Sequence, residues 1–324
     1  MLIPVLLFAV GLVLLIKGGD WFVDGATGIA RRFHLPELLI GATVVSIGTT
    51  LPEVMVSTTS AISGHSQIAY GNAIGSVICN TALIAALTIA IRPSKVDPKT
   101  LRTPVIFFFT AAIFYGVVAY TTGYFSRLVG ILLLVIFVVY MVVTVREMKD
   151  NPEAVEPSEE EIPEEDKPMW QLLLLLVVGA VLIAVGADLL VDNGTLIAEA
   201  LGVPESVIAL TLVALGTSLP ELVTAITALA KGHGALSLGN VIGANLFNLV
   251  LVCGVSMTVS PFSIPENSTL FGINSSLVVD VPVMFLVMIL LTAAPLKTGK
   301  LSRWQGFTLL AIYAAFCVFQ FTMA

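Results

Sequence analysis

Shifting the 324-residue chain by 168 positions lays it upon itself without a gap. LPELLIGATVVSIGTTLPE (35–53) falls on VPESVIALTLVALGTSLPE (203–221), and GNAIGSVICN (71–80) falls on GNVIGANLFN (239–248). The same shift pairs Asp20 with Asp188 and Asp24 with Asp192, and more than a third of positions 18–84 match their counterparts. Chance would supply a handful of matches, so the chain is an internal duplication. Any fold it adopts consists of two related halves.

The halves are too apolar for water. Hydrophobic residues make up 57% of the chain, charged residues 11%, and the mean hydropathy is +1.00. That is too little charge to cover a soluble surface, and long apolar runs point to a helical membrane protein. Hydropathy predicts ten spans, near 3–30, 35–62, 69–91, 102–121, 124–146, 169–199, 203–230, 236–260, 274–294 and 302–322. Each reaches the roughly 20 residues that a bilayer requires. The apolar start, Leu2–Ile16, lacks a basic leader and a small-residue cleavage site, and reads as the first span rather than a signal peptide.

Five spans per half is an odd number, so the second half enters the membrane upside down relative to the first. The expected fold class is an all-α polytopic membrane protein of ten transmembrane helices in two inverted five-helix repeats. Secondary transporters have this architecture, with the site at the repeat interface near the bilayer midplane. The expected boundaries are 1–147 for the first repeat (motif segment 35–84), 148–168 for a linker, and 169–324 for the second (motif segment 203–252).

The net charge of −7 says little about partners, because ten of the 22 acidic residues lie between Glu147 and Asp166. Nucleic acid is not a sensible partner; inorganic cations and the lipid bilayer are, and no obligatory protein partner is evident. The linker carries four prolines and many glutamates, so it reads as a solvated tether. It has neither the spaced ligands nor the turn glycine of a calcium loop. With the N-terminus outside, 13 of the 15 basic residues fall on the inner side. The positive-inside rule therefore predicts both termini outside and the linker in the cytoplasm, in a cell (inner) membrane. Cys79, Cys253 and Cys317 all sit in apolar segments, as small hydrophobes rather than disulfide partners.

Each half places one acid in the middle of a span: Glu53 in the second and Glu221 in the seventh. A charge at the bilayer centre costs at least about 2.5–3.5 kcal/mol on insertion scales, so it needs a partner or a polar cavity. Two carboxylates meeting across a pseudo-twofold axis repel unless a proton or a cation joins them. Pro52 and Pro220 remove the backbone donors for the carbonyls of Gly48 and Gly216, so GTTLPE and GTSLPE are expected to break their helices. Thr49, Thr50, Thr217 and Ser218 add hydroxyls. Asn80 and Asn248 are buried amides that need partners and offer oxygen. This oxygen-rich set suits hard cations such as Ca²⁺ and Na⁺. Gly71, Gly75, Gly239 and Gly243 read as close-packing positions. Asp20, Asp24, Asp188 and Asp192 read as interfacial, with Lys17 one turn from Asp20 as an ion-pair partner, and His65 and His233 as turn residues. No nucleophile–base pair and no phosphate loop is present, so no enzyme activity and no cofactor is expected.

GTTLPE…GNAIGS and GTSLPE…GNVIGAN resemble the paired α-repeats of the cation/Ca²⁺ exchanger superfamily, in particular its short prokaryotic sodium/calcium exchanger-like branch. The resemblance spans essentially the whole chain. It implies a diamond of cation sites with Glu53 and Glu221 as the shared carboxylates and the main-chain carbonyls of Thr49 and Thr217 in the Ca²⁺ shell. It further implies Thr50, Ser218, Ser76 and the carbonyls of Ser46 and Ala214 at flanking Na⁺ sites, with Asn80 completing the centre. Two positions depart from the pattern: members carry an acid where this chain has Asn248 and a serine where it has Ala244. The implied function is Ca²⁺/Na⁺ antiport by alternating access, with the first and sixth helices sliding across the other eight. A proton- or potassium-coupled Ca²⁺ exchanger and a cation channel or uniporter are the alternatives.

Overall fold

The computed structural model describes residues 2–150, 167–201, 216–264, 269–270 and 272–323. Most of the linker, the start of the second motif segment and Ala214 lie outside the described residues. In chain order the helices are α1 (Leu2–Arg32), α2 (Glu37–Ile62), α3 (Ile68–Ile91), α4 (Pro98–Thr121) and α5 (Arg127–Asp150). They continue with α6 (Met169–Ala200), α7 (Leu219–Ala230), α8 (Gly234–Val259), α9 (Ser276–Thr298) and α10 (Arg303–Met323). Eight of the described helices are long and apolar enough to cross a membrane, and the shorter α7 is apolar as well. The chain is a multi-pass helical membrane protein. Large apolar side chains such as Leu2, Met55, Leu128 and Val177 stand exposed, as a lipid-facing surface requires.

Longest of the helices, α1 and α6 pack on each other along a stripe of small residues. A Cβ built on Gly11 would meet the Gly186 carbonyl at 2.9 Å, one on Gly18 the Gly179 carbonyl at 2.9 Å, and one on Gly25 the Leu176 amide at 2.6 Å. Positions rise along α1 as they fall along α6, so the two helices are antiparallel. Gly11 and Gly179 are 168 residues apart, as are Gly18 and Gly186, so each glycine faces its partner's counterpart. Without side chains the backbones come close enough for dispersion to hold the pair in lipid, where the hydrophobic effect between helices is absent.

The core is built from α2, α3, α7 and α8. The turns entering α3 and α8 are alike: Gly64 and Gly232 adopt φ of +80° and +89°, which glycine reaches without strain. His65 and His233 follow as the residues preceding each helix, in the turn position expected of them. Gly239 and Gly243 bring α8 against α2: their Cβ atoms would strike the Leu38 carbonyl and the Ala42 main chain. Gly71 and Gly75 have no described atom within 4 Å of a built Cβ. Close packing thus explains the second pair and not the first.

Two crossed contacts tie the loops together. Tyr124–Phe125 pairs with Phe262–Ser263, and Lys95 bridges to Lys300. Each joins the third–fourth helix loop of one half to the fourth–fifth helix loop of the other. Asp97 caps α4 by accepting the Lys99 amide at 3.0 Å, with Pro98 in the first turn, where no donor is lost.

Candidate cation site

Three helices of the core depart from regular geometry. In α2 a π-turn runs from Gly41 to Val45, just before Ser46. In α3 and α8 the π-turns begin at Asn80 and Asn248, the same position in the two halves. A π-turn inserts a residue and re-aims carbonyls, and such turns concentrate at functional sites. The prolines act differently in the two halves. Around Pro52 the helix Ser46–Ile62 continues without interruption, so the expected break at GTTLPE is not there. Proline still deprives the Gly48 carbonyl of its donor, while the turn stays helical and Gly48 packs on Phe22 of α1. Around Pro220 the chain does turn, with Ser218 at φ −91°, ψ 3° and a new helix from Leu219.

Glu53 and Glu221 are fully buried, and neither carboxylate has a hydrogen-bond partner among the described residues. Glu53 is close enough to Glu221 to feel its charge. Thr49 and Thr50 lie beside the Glu221 carboxylate. Thr50, Ser218 and both polar atoms of Asn80 are buried without partners, and so is the amide oxygen of Asn248, whose Nδ2 donates to the Ala244 carbonyl at 3.0 Å. The Asn80 π-turn packs on α7 and the Asn248 π-turn on α2, which draws these groups toward the two acids. Ser46 and Ser76 are buried too, while Thr217 is half-buried. The one proton of the Ser46 hydroxyl is shared between the Gly41 carbonyl at 2.7 Å and the Asn240 carbonyl at 2.9 Å.

Native proteins leave few buried polar groups unpaired. Here six carboxylate and amide oxygens and two hydroxyls are unpaired on neighbouring turns. A hard cation takes six to eight oxygens, so the donor set has the chemistry of a Ca²⁺ or Na⁺ shell. Among the described residues no group of three or more His, Cys, Asp or Glu side chains converges, so negative charge comes from two acids alone.

A cavity of about 100 Å³ opens beside this cluster, lined by Pro52, Thr217, Pro220, Asp188 and Asp192. Asp188 and Asp192, both exposed, line this cavity. Their counterparts face the other way: Lys231 binds Asp24 at 2.6 Å and Asp20 at 3.5 Å, so the partner of Asp20 is Lys231, not Lys17. His233 Nδ1 lies 2.7 Å from Glu37 Oε1.

Two residues the motifs contain and the sequence reading passed over are Asn72 and Asn240, 168 positions apart. Asn72 donates to the Glu53 carbonyl at 3.3 Å and to Ser57 Oγ at 2.8 Å, and accepts from Thr217 Oγ1 at 3.1 Å. Asn240 accepts from Thr49 Oγ1 at 3.2 Å. Duplication of a polar residue inside an apolar span was the signal that marked them.

The sodium/calcium exchanger protein family matches residues 3–146 and 171–322, which is all but the linker and the extreme ends. The chain belongs to the sodium/calcium exchanger family. Membership makes this exchanger a membrane antiporter of Ca²⁺ and Na⁺, and the family is one of transporters rather than catalytic enzymes. It is 31% identical to the sodium/calcium exchanger MaX1 of Methanosarcina acetivorans over 351 aligned residues, covering 98% of each chain. It is 34% identical to the putative antiporter CaxA of Alkalimonas amylolytica, covering 100% of this chain and 99% of that one. Among solved structures it is similar to the sodium-calcium exchanger NCX_Mj soaked with Na⁺ and Sr²⁺, with a TM-score of 0.78, 34% identity and 97% of each chain covered.

Proposed function

We propose that this exchanger moves Ca²⁺ against Na⁺ by alternating access, with both ions competing for Glu53 and Glu221. The observation that carries the reading is the pair of buried, unpartnered carboxylates at matched positions of the duplication. Without a cation, two such acids cost several kcal/mol each in desolvation and repel each other. A divalent ion neutralises both. Two Na⁺ do the same, and the two loads exclude one another, which enforces exchange.

The flanking ligands are Thr50, Ser218, Ser76, Asn80, Asn248 and the carbonyls of Ser46, Thr49, Ala214 and Thr217. Ten spans in two inverted repeats, 1–147 and 169–324, supply the frame. The antiparallel α1–α6 pair and the crossed loop contacts support that symmetry. Both termini lie outside a cell (inner) membrane, and the 148–168 linker lies in the cytoplasm. Asp188 and Asp192 line the approach and concentrate cations, while Lys231 offsets part of the charge of Asp20 and Asp24 at the opposite end.

Glu53→Gln and Glu221→Gln test the assignment. Each leaves a divalent ion under-neutralised in a low-dielectric cavity. Ca²⁺ uptake into proteoliposomes under a Na⁺ gradient is expected to vanish in both, with normal amounts of protein in the membrane. Wild-type uptake in either variant would falsify the site. Replacing the Na⁺ gradient by a K⁺ or pH gradient in the wild type identifies the counter-ion.

A further inference from the structure

We propose that Asn72 and Asn240 are positioning residues of the cation site, each clamping the threonine of the opposite half whose main-chain carbonyl faces the ion. Asn240 holds Thr49 and Asn72 holds Thr217. The inference rests on the proposed site and adds two residues to it.

Three observations carry it. The bonds are crossed: Thr49 Oγ1 donates to Asn240 Oδ1 at 3.2 Å, and Thr217 Oγ1 donates to Asn72 Oδ1 at 3.1 Å. The four residues form two pairs related by the 168-residue shift, so one contact is built twice, and each instance joins one half to the other. Each threonine lies three residues before a proline on backbone that lacks a regular helical rung: Pro52 inside α2 leaves the neighbouring Gly48 carbonyl without its donor, and Thr217 sits in the turn just before α7, whose first turn holds Pro220. Backbone that has lost a rung needs another constraint to keep its carbonyls aimed. A threonine hydroxyl has one proton, and once that proton is given to an asparagine the side chain is fixed. The residue then faces the cation with its main-chain carbonyl.

Asparagine suits the role better than any neighbour. Its oxygen accepts the threonine proton while its nitrogen donates, and Asn72 uses that nitrogen to hold the Glu53 carbonyl at 3.3 Å. Aspartate would accept and could not donate, and it would add a charge next to the two acids. In the other half the Asn240 nitrogen is buried without a partner among the described residues. The two clamps are therefore equal in their threonine bond and unequal behind it: one also grips the backbone of its own acid.

Isosteric variants and mutant cycles test this, read as the KM for Ca²⁺ in proteoliposomes. Thr49→Val and Thr217→Val keep shape and lose the proton. Each is expected to raise KM about tenfold, the scale of one lost buried hydrogen bond. Thr49→Ser and Thr217→Ser keep the hydroxyl and are expected to stay within about twofold, since the bond remains. Thr49→Val combined with Asn240→Ala is expected to be no worse than the worse single variant. The mismatched combination of Thr49→Val with Asn72→Ala is expected to multiply the two effects. Thr217 and Asn72 follow the same pattern. Serine and valine variants that behave alike, or matched pairs that multiply as mismatched ones do, overturn the clamp. Where a double variant does not run as a single species on gel filtration, the serine–valine comparison decides alone. Glu53→Gln separates the levels: if it transports normally, site and clamp both fall; if it is inactive while matched pairs multiply, only the clamp falls.

Discussion

Asn248 is the residue whose chemistry departs most from its surroundings. It opens the α8 π-turn, its oxygen is buried and unpaired, and its nitrogen is spent on the Ala244 carbonyl. The family resemblance implies an acid there. An amide lends oxygen without charge, so two carboxylates set the charge capacity of the site. Asn248→Asp adds a negative charge to the proposed site and gives up the bond to Ala244. Ca²⁺ is expected to bind more tightly and leave more slowly, and the number of Na⁺ exchanged per Ca²⁺ is expected to rise. The reversal potential of Ca²⁺ flux at fixed Na⁺ and pH gradients reads this directly. An unchanged potential together with unchanged affinity would place Asn248 away from the ion.

At the scale of elements, α1 and α6 are held by shape rather than by polar bonds. Gly18 and Gly179 each place a missing side chain against the other's backbone, at 2.9 and 2.8 Å. Gly18→Val or Gly179→Val forces the helices apart, and overpacking of this kind typically costs about 1–3 kcal/mol. A lower melting temperature of the purified protein and slower exchange are the expected outcomes. Gly71→Ala makes the contrast, because no described atom lies within 4 Å of its Cβ; its melting temperature should stay close to that of the wild type. The Lys231 pairs with Asp20 and Asp24 are different in kind. All three side chains are partly exposed, so solvent screens the attraction to about 0.2–1 kcal/mol per pair. Lys231→Gln is expected to leave stability nearly unchanged at high salt, with any loss confined to low ionic strength.

For the whole molecule, the halves are joined covalently by an acidic segment and physically by the membrane core. The core includes α1 against α6, α2 against α8, and the crossed loop contacts. Exchange should therefore survive replacement of 152–165 by a Gly/Ser tether of equal length, because no proposed ligand lies in it. Loss of Ca²⁺-dependent exchange in that variant would make the segment regulatory. Cysteines placed near both termini should react with an impermeant thiol reagent from outside intact cells, and one in the linker only after permeabilisation.

The sequence by itself determined the membrane class, the duplication and the two intramembrane acids. Those features depend on composition and spacing, which burial in lipid reads almost locally. Glu53 and Glu221 stood out because a carboxylate in an apolar span has few bland explanations. What the tertiary structure decided is which groups face one another. It kept α2 helical through Pro52, where the local rule for proline predicted a break, with Thr49 on that turn bonded to Asn240 of α8. Asp20 received Lys231 from 211 residues away rather than Lys17 from the next turn, and Asp188 and Asp192 turned toward the cavity. Asn72 and Asn240 were visible as letters in a motif, yet their bonds to Thr217 and Thr49 join opposite halves. Periodicity along one helix carries no information about such a partner: a side chain's neighbour across an interface is fixed by how the helices cross.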